Sequence, residues 1–269
     1  MSAYTDIEVD VDDPVALIRL NRPEKLNAFT YHTLAEIRAA IEAASTDRRV
    51  VGIVVTGNGR GFCAGLDAQV LSEVTKRGAS SGAATPADRL PGIFSYLLEV
   101  PKPIIAAVNG VAAGGGLILA LMSDLRIASR DASFTTVFLK RGLIAEHGSS
   151  WLLPRLVGVG RALDLLWMSD RIDAETAFSI GLVEKLCAPD QLVDTARDYV
   201  KRLAATSPPA AIAETKRLVY RHLGTGYLEA LREAEISQNR FVAAPDAAEG
   251  AAALIERRVP AFKRLGEEP

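Results

Sequence analysis

The sequence predicts an α/β core followed by a helical C-terminal region, and three observations carry that expectation. Short apolar or alternating runs recur between amphipathic stretches in the first part of the chain, the pattern of strands alternating with helices. Beyond about Pro154 the pattern changes to helices only. The 269 residues, 49% of them hydrophobic, suffice for one large core or a core with an appendage. The expected division is a core over 1–200 and a helical region over 201–269, with no internal repeat in the sequence and no strong linker between the parts.

In chain order, two alternating runs, Ile7 to Val11 and Val15 to Leu20, flank Asp12-Asp13-Pro14 and read as a hairpin. "LAEIRAAIEAAS", Leu34 to Ser45, places apolar residues at helical spacing with charges between them. "VVGIVVTG", Val50 to Gly57, is a continuous apolar run suited to a strand buried on both faces. "RGASSGAATPAD", Arg77 to Asp88, rich in small residues, reads as a mobile surface loop. "PIIAAV" (Pro103 to Val108) and "DLRIAS" (Asp124 to Ser129) read as strands flanking a glycine-headed helix in "NGVAAGGGLILALMSDL", Asn109 to Leu125. In the last part, "SPPAAIAETKRLVYRHL" opens with Ser207 as N-cap and prolines in the first turn. "YLEALREAEISQNRF" and "DAAEGAAALIERR" continue with the same period. These helices are expected to pack onto the core or onto a neighbouring subunit.

Composition excludes several classes. Lysine and arginine (31) nearly balance aspartate and glutamate (33), with no basic tail or aromatic-interleaved basic stripe, so nucleic acid is not an expected partner. Cys63 and Cys187 are far apart and form no CxxC, which argues against a disulfide scaffold or zinc site and fits a reducing compartment. The N-terminal "MSAYTDIEVDVDDP" has neither a basic nor an apolar signal region, so a cytoplasmic location is expected. Pro103 to Ser123 is uncharged over a length that could span a bilayer. Its strand, Asn-Gly turn and glycine cluster argue instead for a folded core segment and no membrane partner. His32, His147 and His222 do not have the spacing of a metal site.

The glycine cluster carries the functional question. "GVAAGGGLIL" lacks the lysine of a phosphate loop and misses the dinucleotide spacing, so nucleotide binding is weakly supported. Either its glycines let the helix pack closely, or they bare N–H groups at a helix N-terminus, making an anion hole with apolar walls. A second segment, "GRGFCAGLDAQV" (Gly59 to Val70), also puts glycines after a buried strand. With "LNRPEKLNAF" (Leu20 to Phe29), "GFCAGLD" (Gly61 to Asp67), "KPIIAAVNGVAAGGGL" (Lys102 to Leu117), "LPRLVG" (Leu153 to Gly158) and "IDAETAFSIGLVEKL" (Ile172 to Leu186), the chain resembles the crotonase superfamily, the enoyl-CoA hydratases and isomerases, over nearly its whole length.

The resemblance implies a spiral α/β core of repeated ββα units with a C-terminal helical region, assembled as homotrimers or as hexamers made of two trimers. It implies an acyl-CoA thioester substrate and no separate cofactor, coenzyme A being part of the substrate. The thioester oxygen, as an enolate, would be held by the backbone N–H groups of Leu66 and Gly115, with Gly114 and Phe138 beside the substrate. Lys25, Leu26, Ala64, Asp67 and Ala68 match positions that line coenzyme A, Lys25 as a point charge toward its phosphates. Lys263, in "RRVPAFK", is similar to a segment that can reach coenzyme A.

Family hydratases use two glutamates on the substrate water, and this sequence has Ile118 and Phe138 at those positions. Glu146, eight residues past Phe138, matches a catalytic aspartate or glutamate of several relatives that isomerise or hydrolyse acyl-CoAs. Its neighbours Leu143, Ile144, Trp151 and Leu152 are apolar and would exclude water, suiting it to proton transfer. The alternative role for Glu146 is structural, bonding turn amides or capping the next helix with His147, which is itself a candidate to orient or charge the carboxylate. Ser149 and Ser150 sit in no G-x-S-x-G elbow and read as local hydrogen-bonding residues. The expected activity is an enoyl-CoA double-bond shift with Glu146 as single acid/base. The alternatives are a hydratase using another carboxylate and a non-catalytic acyl-CoA binding protein, the latter favoured by a Glu146 that faces solvent.

Overall fold

The fold is seen in a computed structural model that describes residues 4–77 and 90–266. Strands β1 (Ile7–Asp12) and β2 (Val15–Leu20) form the expected hairpin, Ile7 opposite Leu20. Helix α1 (Tyr31–Thr46) begins ahead of its apolar period because Thr30 caps it, in a reciprocal box with Thr33. The chain then repeats one path three times, from a strand of a large sheet to a short strand of a second sheet to a helix. The first pass is β3 (Gly52–Gly57), β4 (Gly61–Cys63) and α2 (Ala68–Arg77). The second is β5 (Ile104–Val108), β6 (Val111–Ala113) and α3 (Gly115–Met122). The third is β7 (Leu125–Ser129), β8 (Ser133–Thr135) and α4 (Ser149–Val157).

The remaining elements are α5 (Val159–Met168), β9 (Ile172–Asp173), α6 (Ala174–Ser179), β10 (Lys185–Cys187), α7 (Leu192–Thr206), α8 (Pro209–His222), α9 (Tyr227–Val242) and α10 (Pro245–Glu256). The large sheet runs β1-β2-β3-β5-β7-β10 and the small one β4-β6-β8-β9. Within each sheet the three repeats lie parallel and side by side, so the ββα units stack as a spiral. The continuous apolar strands follow from burial on both faces. Ile53, Val55, Ile104 and Ala106 face the core under α1 and α3, whereas Val54, Ile105 and Ala107 face Leu192, Ala196 and Val200 of α7.

Three expectations need correction. The chain past Pro154 is not helical throughout, because β9 and β10 add strands to the two sheets. At two and three residues they are too short to show a period. Ser207 does not cap a helix: its N–H closes α7 on Leu203 O (2.9 Å), and α8 begins behind Pro208 with no side-chain cap. Proline at the first position has no N–H to satisfy, which removes part of the need for one. Residue 200, the expected edge of the helical region, lies inside α7, a helix that covers the large sheet. Of the expected Arg77–Asp88 loop, Arg77 ends α2 and the rest lies outside the described residues. Among the described residues no helix is long and apolar enough to cross a membrane.

One buried charge ties the last repeat to the end of the core. Arg126 on β7 is 2% exposed and pairs with Glu184. Its guanidinium also donates to Leu182 O (2.9 Å), Ser123 O (2.9 Å) and Ala120 O (3.2 Å). Replacing it strands those three buried carbonyls, at about 1–3 kcal/mol each, while the exposed Glu184 turns to water, so Arg126→Ala should lower unfolding free energy by about 3–5 kcal/mol. Urea denaturation followed by circular dichroism measures it, and a loss under about 1 kcal/mol would show that water replaces the guanidinium.

Candidate active site

The site is built from backbone before side chains. The 3₁₀ turn Pro23–Lys25 ends on Leu26 and Asn27, both left-handed (φ 51° and 57°), which turns the buried Asn27 side chain inward. Asn27 Nδ2 donates to Asn58 O (2.9 Å) and Gly61 O (2.7 Å), and its Oδ1 accepts from Arg22 N (2.9 Å). Asn109, at the Asn-Gly turn between β5 and β6, accepts from Gly57 N (3.1 Å) and donates to Gly59 O (3.0 Å) and Gly61 O (3.1 Å). Two amide side chains thus hold the crossing from the large sheet to the small one. Asn27 was not singled out in the sequence, and Asn109 was read only as part of an Asn-Gly turn, although both sit in the quoted motifs.

The segment so held meets the start of α3 at backbone distance. Gly65 is left-handed (φ 90°), and a Cβ there would stand 2.7 Å from Ala113 O and 3.2 Å from Gly115 N. On the other side, Phe29 N donates to Gly65 O (2.9 Å) and Asp67 N to Phe29 O (2.9 Å), which leaves the Leu66 N–H facing away from Phe29. Gly115 is the first residue of α3, so its N–H has no partner within the helix. Gly115 and Leu66 are half-buried, between the buried Gly114 and Gly116 and the buried Gly65 and Asp67.

Other expected residues gather here. A Cβ on Gly114 would lie 3.1 Å from Val137, the neighbour of the buried Phe138. One on Gly115 would strike Phe29 at 2.4 Å and reach Ile93 at 3.5 Å. Next to Ile93, Gly92 approaches His147 at 3.9 Å by the same measure, and His147 adjoins Glu146. The segment Gly92–Ile93 therefore links Gly115 to the turn carrying Glu146, a link the sequence did not reveal. Ile118 is fully buried in the core.

Glu146 is half-buried, and its carbonyl accepts from Ser149 N (3.0 Å) and Ser149 Oγ (2.8 Å). The turn is closed by its backbone, with His147 and Gly148 both left-handed (φ 51° and 83°). Ser149 is thus the local hydrogen-bonding residue it was read to be. The expected apolar shield is only half present: Leu152 is buried, but Leu143 is exposed and Ile144 is 78% exposed. A chain that turns through Gly142, itself left-handed, throws those two outward. Burial lowers the His147 pKa, and the neighbouring Glu146 charge only partly opposes it, which runs against His147 acting as a fixed positive charge.

Of the residues expected to line coenzyme A, Ala64 N donates to Leu26 O (3.0 Å), so the structure brings Leu26 and Ala64 together, with exposed Lys25 and Ala68 nearby in sequence. Asp67 is used internally: its carboxylate accepts from Gln69 N (3.0 Å) at the start of α2 and pairs with Arg22 (3.1 Å). The Gln69 N–H chiefly, with Arg22, holds that carboxyl below the usual range against the opposing effect of burial. Lys263 belongs to a different neighbourhood, its N–H on Asp246 (3.4 Å) at the head of α10. The Cys63 thiol beside the glycines is fully buried, which pushes its pKa up to about 12 and leaves it inert.

Comparisons with known proteins identify the family and the fold. A sequence model of the enoyl-CoA hydratase/isomerase family matches residues 10–265. The chain belongs to that family. It is 37% identical over 254 residues to the probable enoyl-CoA hydratase EchA12 of Mycobacterium tuberculosis, covering 92% of this chain and 89% of that one. It is 34% identical over 254 residues to the 1,2-epoxyphenylacetyl-CoA isomerase of Escherichia coli K12, covering 94% and 96%. A putative enoyl-CoA hydratase from Streptomyces coelicolor A3(2) superposes with a TM-score of 0.87 at 34% identity, over 98% of this chain and 99% of that one. The spiral is thus the crotonase fold, and the chain is an enzyme of the acyl-CoA hydratase/isomerase kind.

Asp67 gives a pH test of how the site loop is held. A carboxyl with a lowered folded-state pKa adds stability above its unfolded value of about 3.9, and that stability is lost as pH falls through the lower folded value. Asp67→Asn should therefore be less stable than wild type at pH 7, with the gap closing below about pH 4. Urea midpoints at both pH values measure it; an equal gap at both would assign the effect to something other than the charge.

Proposed function

We propose that this enzyme moves the double bond of an enoyl-CoA through a thioester enolate. In this reading the oxyanion sits between the N–H groups of Leu66 and Gly115, and Glu146 alone moves the proton. The observation that carries it is the pair Ile118 and Phe138, both buried and apolar, at the positions where family hydratases carry the two glutamates. Hydration needs one group to hold water and another to deliver a proton. A double-bond shift needs one base that takes a proton from one carbon of the enolate system and returns it to another.

Backbone donors suit the oxyanion because they need no reorganisation as charge develops, and one such donor is typically worth about 2.7–4 kcal/mol in the transition state. The apolar residues of α3 behind Gly115 strengthen each donor by excluding water. Lys25, Leu26, Ala64 and Ala68 are read as lining coenzyme A, with Asp67 contributing backbone and helix start rather than its committed carboxylate. The exposed apolar side chains of α9 and α10, among them Leu228, Ile236, Leu254 and Ile255, are read as surfaces covered in a trimer or hexamer.

A second reading, an enoyl-CoA hydratase, is favoured by the names of most relatives. Product analysis by mass spectrometry separates the two, since hydration adds one water and isomerisation leaves the mass unchanged. With 3-enoyl-CoA and 2-enoyl-CoA offered separately, migration should outpace formation of 3-hydroxyacyl-CoA; fast water addition with negligible migration selects the hydratase. Glu146→Gln should keep the fold and acyl-CoA affinity while lowering turnover by about 10²–10⁴-fold. Turnover within a few-fold of wild type in that variant would place the base elsewhere.

A further inference from the structure

Phe29 touches both segments that carry the proposed oxyanion donors, one through its backbone and the other through its ring. On the backbone side it forms an isolated parallel bridge to Leu66: its N–H donates to Gly65 O (2.9 Å) and its carbonyl accepts from Asp67 N (2.9 Å). Those two bonds hold the residues on either side of Leu66 and so set the direction of the Leu66 N–H. On the ring side, a Cβ on Gly115 would stand 2.9 Å from Phe29 Cε1 and closer still to Cζ. The ring edge therefore lies against the bare Cα of the first residue of α3.

That ring has little freedom. Phe29 is 2% exposed and meets Phe94 edge to face, with centroids 5.8 Å apart and planes at 85°. Its backbone neighbours are anchored as well: the Asn27 side chain donates to Asn58 O and Gly61 O, and Thr30 N donates to Thr33 Oγ1 (3.1 Å) at the head of α1. Gly65 against Ala113 O limits how closely the two segments approach, and the Phe29 ring limits where Gly115 settles once they meet. An oxyanion needs each donor about 2.7–3.1 Å from one point, and a misplacement of about 1 Å can cost on the order of 100-fold in rate.

We propose that Phe29 is the positioning residue of the oxyanion site, its ring setting where the Gly115 N–H stands relative to the Leu66 N–H. The inference rests on those two amides binding the thioester oxygen. Buried beside the glycines, Phe29 acts through their backbone. A shorter side chain leaves a space that the first turn of α3 can move into, so the loss should appear at the thioester oxygen more than in overall affinity.

Butyryl-CoA carrying a heavy carbon isotope at its carbonyl is saturated and inert, and infrared spectroscopy reads its carbonyl stretch, which each accepted hydrogen bond lowers. On wild type the stretch should fall relative to free butyryl-CoA. Phe29→Leu should return at least about half of that fall while calorimetric affinity stays within about tenfold. Phe94→Leu removes the same atoms from the same core cluster at a ring farther from Gly115, and it should keep the full lowering. Where Phe29→Leu does not fold, Phe29→Met, closer in volume but flexible, gives the same decision. A lowering that is kept in the folded Phe29 variant, lost equally in Phe94→Leu, or lost only together with tenfold or more of the affinity overturns this inference alone. No lowering on wild type, or no binding of butyryl-CoA, overturns the Leu66 and Gly115 reading and this inference with it.

Discussion

The structure depends on two stretches of backbone approaching more closely than any side chain would permit. A Cβ on Gly116 would lie 2.0 Å from Cys63 O, and one on Gly65 would lie 2.7 Å from Ala113 O. The chain leaves β4 and β6 side by side, and only bare backbone on both allows the start of α3 to sit against the turn after β4. The three-glycine run is thus a packing device, and in the proposed function a chemical one as well. The contact that requires glycine is the same contact that brings Gly65, and Leu66 after it, to the Gly115 N–H at a helix N-terminus, where the dipole favours negative charge.

Everything nearby serves to hold that approach rigid without adding charge to it. Asn27 and Asn109 bind the crossing loop through neutral amides. Arg22 and Asp67 neutralise one another outside the amide pair. Lys102, from the same motif as the glycines, is buried and caps the C-terminus of α1 through Ala44 O (2.9 Å) and Asp47 O (2.6 Å). Burial lowers its pKa to about 8, and its carbonyl partners show a structural use rather than a substrate contact. Ile118 and Phe138, both buried and apolar, add no charge there either.

Much of this was legible because it is local. The hairpin, the buried strands and the glycine-headed helix follow from periodicity and turn chemistry within single segments, and the Leu66 and Gly115 segments from motif order. What escaped is set by contacts distant in sequence. The three ββα units have no repeated sequence, since each strand of the small sheet has only three residues and each repeat packs against different neighbours. The apolar letters around Glu146 suggested a closed shield, but backbone direction through Gly142 decides which side chains turn inward, and letters carry no direction. Gly92–Ile93 reads as an ordinary loop until folding sets it between Gly115 and His147.

The C-terminal helices show how a distant element bears on the same center. Lys216 of α8 is buried and donates to Leu97 O (3.0 Å), Lys102 O (3.2 Å) and Asp124 Oδ2 (2.8 Å). Tyr220, one turn on, donates to Asp124 Oδ1 (2.8 Å), and Asp124 also accepts from Ile104 N (2.7 Å). Burial lowers the Lys216 pKa, and only the facing Asp124 opposes it, so the ammonium depends on that carboxylate. Asp124 directly follows the end of α3, whose last turn Arg126 also binds through Ala120 O and Ser123 O. One short helix is thereby fixed at both ends, by glycine contacts where its amides are bare and by Arg126 where its carbonyls end, with Lys216 holding Asp124 just beyond.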